Sequence, residues 1–103
     1  MRVMVKFRFS AEVGNEIIRS GKIDKMMQGI MEDLKPEAAY FYPEEGDRAG
    51  LMVFDMTDSS QVAQTLERFW FGLKAKVELT PVMNGEDLQK GLSDIPAIVA
   101  KYG

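Results

Sequence analysis

The chain has 103 residues, 46% of them hydrophobic and 28% charged, with 16 acids against 13 bases and a net charge of −3. This is the profile of one ordinary globular domain with a single core, and its scattered bases argue against nucleic acid, which needs a basic stripe. There is no cysteine and no histidine, which removes disulfides, thiolate chemistry, the commonest general base and the commonest metal ligand, so no metal or cofactor is expected.

The first residues run straight into a strand. No signal peptide is evident and no apolar run is long enough to span a bilayer, so a cytoplasmic protein without membrane contact is the expectation. From Arg2 to Phe9 the residues alternate. Val3, Val5, Phe7 and Phe9 share one face, and Arg2, Met4, Lys6 and Arg8 share the other, which is the signature of a half-buried strand. Ser10 then offers an N-cap, with Glu12 favoured in the first turn by the helix dipole.

The period becomes helical from Ala11 to Leu34. Val13, Ile17 and Ile18 make a short stripe, which Ser20-Gly21 interrupts, glycine costing about 1 kcal/mol in a helix interior relative to alanine. Ile23, Met26, Met27, Ile30, Met31 and Leu34 follow at offsets of three and four. This Met-rich stripe reads as core facing a sheet rather than as an adaptable partner groove. Lys35-Pro36 ends the helix, because proline disfavours helical backbone in the residue before it.

Next comes a hairpin. Ala38 to Tyr42 is aromatic enough for a strand. Pro43-Glu44-Glu45-Gly46-Asp47-Arg48 is a polar turn whose glycine can take positive φ. Gly50 to Met56 is apolar on both faces, with Leu51 and Val53 on one side and Met52, Phe54 and Met56 on the other. Such a strand is normally covered on both faces.

Asp58 can cap a second helix, with Gln61 three residues on as in a capping box. Val62, Leu66, Phe69, Trp70 and Leu73 form its apolar face, and Gly72 helps to end it. Ala75 to Met83 is a strand again, and Pro81 confines it to a sheet edge or bends it. Asn84 caps a short helix with Glu86 and Asp87 in its first turn. Asp94 and Pro96 start another through Ile98, Val99 and Tyr102. The expected organisation is a single domain over residues 1–92 and a tail over 93–103. That tail is too apolar for a free linker; the expectation is that it packs on the domain or on a neighbour, or is partly ordered at best.

Strand, helix, strand, strand, helix, strand is the split βαβ pattern of the ferredoxin-like α+β fold. It implies a four-stranded antiparallel sheet of order 4-1-3-2 with two helices on one face. Met4, Lys6, Arg8, Glu78 and Thr80 then share the uncovered face, with Lys6 and Glu78 set for a cross-strand pair. A two-residue hairpin turn puts Tyr40, Tyr42, Leu51 and Val53 on one common face. Which face that is stays open, since a one-residue slip inverts every side chain. A bare sheet this apolar is an adhesive patch. The economical cover is a second copy placed face to face, a homodimer in the dimeric α/β-barrel arrangement.

Gly14-Asn15, the run Leu34-Lys35-Pro36-Glu37-Ala38-Ala39-Tyr40-Phe41, and Pro81-Val82-Met83 followed by Glu86-Asp87-Leu88 resemble a group of small uncharacterised bacterial proteins, up to about Leu92. More distantly the chain is similar to the dimeric α/β-barrel superfamily, which includes muconolactone isomerases and cofactor-independent quinone-forming monooxygenases. The resemblance implies the sheet-to-sheet dimer. It brings no assigned activity and no functional residue. Haem-using branches of the superfamily need a histidine ligand, which this chain lacks.

Six residues stand out as ligand-binding candidates: Lys6, Arg8, Tyr40, Tyr42, Trp70 and Glu78. A tyrosine beside a cation can act in proton transfer; the plainer reading packs the tyrosines in an interface and pairs the charges. Phe69, Trp70 and Phe71 cannot all face one sheet, so one of them lines a pocket mouth or meets another subunit, where an aromatic can stack on a planar ligand. Glu44, Glu45, Asp47 and Arg48 read as a solvated turn rather than a calcium loop. Phosphate loops, catalytic triads and zinc spacings are absent. The expectation is therefore a dimer that holds a small apolar or aromatic molecule, or is purely structural. The alternative is a cofactor-independent enzyme, isomerase- or monooxygenase-like, using Tyr40 or Tyr42 with Arg8.

Overall fold

The computed structural model describes residues 1–103. Four strands, β1 (Arg2–Phe9), β2 (Ala38–Glu44), β3 (Asp47–Asp55) and β4 (Lys76–Pro81), form one sheet in the order β2-β3-β1-β4. All three neighbouring pairs are antiparallel. This is the ferredoxin-like α+β fold, with β2 and β4 as rims. Each rim carries a proline, Pro43 in β2 and Pro81 at the end of β4.

The segment between β1 and β2 is two helices, not one. Ser10 Oγ accepts the Val13 N–H at 3.2 Å and starts α1 (Ala11–Arg19). Gly21, at φ 76°, then takes the left-handed turn that separates α1 from α2 (Ile23–Leu34). Lys35 caps α2 in the left-handed region at φ 46°, and Pro36 keeps it from continuing. After β3, α3 runs from Gln61 to Leu73. Gly72 lies inside it, and the turn that stops it is Lys74 at φ 50°. Asp58 works in the turn before the helix. Its Oδ1 accepts the Ser60 N–H at 2.8 Å, while Gln61 Oε1 accepts the N–H groups of Thr57 and Asp58 at 2.9 and 3.2 Å.

The core lies between the sheet and these three helices. Val3, Val5, Met52 and Phe54 meet Ile30, Phe69 and Leu73, with Phe7 at the centre, its ring 5.1 Å from that of Phe69. Thr65 is also fully buried on α3, although the apolar pattern passes over it. Arg48 ties α1 to β3, donating to Asn15 Oδ1 at 3.0 Å across the bare backbone of Gly14.

Beyond β4 the chain leaves the body. Asn84 and Asp87 close a reciprocal capping box, with Asp87 N–H to Asn84 Oδ1 at 2.7 Å and Asn84 N–H to Asp87 Oδ2 at 3.1 Å. Helix α4 (Gly85–Gly91), a 3₁₀ turn (Leu92–Asp94) and α5 (Ile95–Tyr102) follow with little interruption. Every residue from Met83 to Gly103 is exposed. The molecule is accordingly drawn out, 58 × 28 × 20 Å with a radius of gyration of 17.1 Å, where a compact chain of this length has about 13 Å. No helix is long and apolar enough to cross a membrane.

Candidate functional site

The hairpin decides what the uncovered face contains. Glu45 and Gly46 stand at φ 49° and 84°, the two positive φ values of a two-residue type I′ turn. The turn sets Tyr40 opposite Leu51 and Tyr42 opposite Ala49. Leu51 in turn faces Lys6, and Ala49 faces Arg8. Tyr40, Tyr42, Leu51 and Val53 therefore share the face of Lys6 and Arg8, away from the helices. On the far side of β1, Glu78 stands opposite Lys6 and Lys76 opposite Arg8.

This face has two halves. Inside the Arg2–Glu37–Asp87 cluster at the start of β1 it is apolar: Met4, Leu51, Val53 and Ala38 are half-buried, and Tyr40 is 64% exposed. Toward the hairpin it is charged. Arg8 reaches Asp47 at 3.1 Å, Glu45 at 3.3 Å and Glu44 at 3.9 Å, and Lys6 reaches Glu44 at 3.5 Å. The hydrogen bond to Glu45, against partial desolvation and joined by the charges of Asp47, Glu45 and Glu44, holds the Arg8 guanidinium above its ordinary range. A cleft of about 390 Å³ opens here among Lys6, Arg8, Glu44, Lys76 and Glu78.

Five of the six candidates thus lie on one surface, and Trp70 does not. It projects, 46% exposed, from α3 on the opposite side of the sheet. Phe69 takes the inward position, and Phe71 is 84% exposed. The Lys6–Glu78 register is present, yet the long lysine side chain swings to Glu44 on β2 instead. The Arg8 guanidinium hydrogen-bonds Glu45, and neither the Tyr40 nor the Tyr42 phenol is hydrogen-bonded to a protein group. No cluster of three or more metal-ligating side chains forms.

Two features lie outside the six candidates. Lys76 lines the charged cleft; alternation in β4 already sets it on the face of Glu78 and Thr80, and the register places it beside Arg8. The second is an apolar groove of about 450 Å³ on the helix side of the β2 rim, lined by Phe7, Phe9, Ile23, Met27 and Phe41. Its signal was Phe41, which alternates away from Tyr40 and Tyr42 and is 62% exposed.

Comparison with known proteins follows the fold rather than the site. A family model described as a domain of unknown function (DUF3303) matches residues 1–95. No curated protein matches the chain. Among solved structures, the chain is similar to the de novo designed protein Ferredog-Diesel, at 12% identity over 79% of this chain and 85% of that one, with a TM-score of 0.49.

Proposed function

We infer that this chain, which belongs to the family described as a domain of unknown function (DUF3303), is a cytoplasmic homodimer joined sheet to sheet, holding a small aromatic or apolar molecule between the two sheets without acting on it. The observation that carries this reading is the apolar half of the uncovered face, where Met4, Leu51 and Val53 lie half-buried beside the exposed Tyr40. A continuous apolar patch of this kind marks an association surface. A two-fold axis between two such faces covers both at once. The resemblance of residues 34–41 to small bacterial proteins, and of the chain to the dimeric α/β-barrel superfamily, points the same way.

The isomerase- or monooxygenase-like alternative has less to stand on. The cation that would stabilise a phenolate is engaged by Asp47, Glu45 and Glu44. With those carboxylates beside it, Arg8 offers little net positive charge to a tyrosine or to an anionic substrate.

Light scattering on the eluting protein, with native mass spectrometry of material from its own cells, tests the reading. Twice the chain mass is expected, plus the mass of a small molecule. Val53→Glu sets a carboxylate in the patch between its cross-strand partners Met4 and Ala38. Burying it unpaired costs several kcal/mol, so association should weaken by at least ~100-fold and the added mass should disappear. A single-chain mass for the native protein at micromolar concentration overturns the proposal.

A further inference from the structure

The segment from Gly85 to Tyr102 has no place in the body. It is helical almost throughout. Gly91 and Ile95 keep right-handed helical backbone on either side of the 3₁₀ turn, and the Leu92 N–H still bonds to the carbonyls of Leu88 and Lys90. A helix of about 18 residues is about 27 Å long, roughly the difference between the long and middle dimensions of the molecule, 58 and 28 Å. Leu88, Leu92, Ile95, Val99 and Tyr102 are spaced four, three, four and three residues apart. In a 3₁₀ turn residues i and i+3 eclipse, so Leu92 and Ile95 stay aligned through it. The five residues form one stripe along the rod, and their exposure runs from 41% to 76%.

A four-three repeat is the seam by which one helix meets another, and Ile98, 47% exposed beside Val99, widens it on one flank. The flanks of this seam are Gln89, Gly91, Pro96 and Ile98. None is charged, so two identical rods meet without like-charge repulsion across the seam. The root of the rod also lies on the right side of the molecule. Arg2, on the uncovered face, holds Asp87 at 2.7 Å and Glu37 at 2.6 Å. The rod therefore leaves from the plane in which the two sheets would meet.

We propose that the rod pairs with the same rod of a second copy, side by side and parallel, as a short two-helix coil. The inference rests on the sheet-to-sheet dimer and extends it. A two-fold axis along the strands sends both rods off the same end of the pair. A seam of this length is marginal for free helices. Tethered by the sheets, the two rods meet at an effective concentration in the millimolar range. The dimer then has two contacts, a broad one between sheets and a narrow one beyond them.

The chain has no cysteine, so single cysteines report on the pairing in the full-length protein. Val99→Cys and Ile95→Cys lie on the seam, and Ala97→Cys lies on the opposite side of the rod. Under mild oxidation the two seam variants should form a disulfide-linked dimer at least tenfold faster than Ala97→Cys. Equal rates at all three positions, or no linkage in a protein that light scattering shows to be dimeric, overturn the rod pairing and leave the sheet contact standing. A photocrosslinker at Val99 that captures the body of either copy overturns it in the same way. A native chain that is monomeric sinks both readings. Seam-specific linkage that survives Val53→Glu in an intact dimer upholds the rod pairing and removes the sheet contact.

Discussion

Gly50 lies under the ring of Phe7, its partner across the β1–β3 ladder. A Cβ built there would stand 2.5 Å from the tip of that ring and 3.0 Å from the Tyr40 carbonyl oxygen. The ring cannot retreat, because Phe69 backs it at 5.1 Å and interiors are close-packed. Gly50→Ala should therefore cost about 1–3 kcal/mol, the usual penalty for overpacking a core, read as a lower urea midpoint at unchanged slope. Asp58 supplies a pH-sensitive contact of another kind. Hydrogen bonds from the Ser60 backbone and side chain hold its carboxyl below its ordinary value of 3.8. A group whose folded value is depressed stabilises the fold above its unfolded value and loses that contribution as pH falls through the folded one. Asp58→Ala should accordingly lower the melting temperature at neutral pH, and the gap from the native chain should close as pH falls below about 4.

At the scale of elements, the hairpin is held by charge as much as by its turn. Arg8 sits among Glu44, Glu45 and Asp47. Arg8→Met leaves three carboxylates facing one another at the tip, with Lys6 and Lys76 as the nearby cations to offset them. The variant should melt lower than the native chain at low salt, and 0.5 M sodium chloride should narrow the difference, since ions screen exposed charges over a few ångströms. A salt-independent difference would assign the role to packing of the arginine stem. The elements themselves were largely legible. Alternation in Arg2–Phe9 marked the buried side of β1, and Ser10, Ser20-Gly21, Pro36 and Asn84 marked where helices begin or stop. What stayed hidden depends on backbone angles that residue types alone do not dictate. The face of Tyr40 turned on Glu45, a residue that seldom takes positive φ. Gly72 looked like a stop and is not, because Lys74 takes the left-handed position two residues on. Side-chain tips are harder still: the register set Lys6 against Glu78, and the flexible stem carried its charge to Glu44.

For the whole molecule, cohesion is uneven. The body has a buried core on one side of the sheet, whereas the rod has almost no contact beyond its own 3₁₀ turn. Local opening is easiest where few apolar contacts hold a segment. Diluted to nanomolar concentration, where the proposed dimer would separate, the amides of residues 85–102 should exchange with deuterium within seconds, while those of β1 and β3 stay protected for far longer. Comparable protection in both regions would mean that the rod has a seat on its own chain. Trp70 and Phe71, exposed on α3, belong to this scale too, since an outward helix face is seen only once the inward one has been assigned to Phe69 and Leu73.

The two rim prolines limit how copies can accumulate. Pro43 and Pro81 have no N–H to give, so a foreign strand laid along either rim finds a gap in the row of donors. Stacking of sheets end on end, the route to fibres, is discouraged at both margins. In the proposed dimer, by contrast, faces and rods are used up once two molecules have met. Such a chain can afford an adhesive surface, because the assembly it favours is finite.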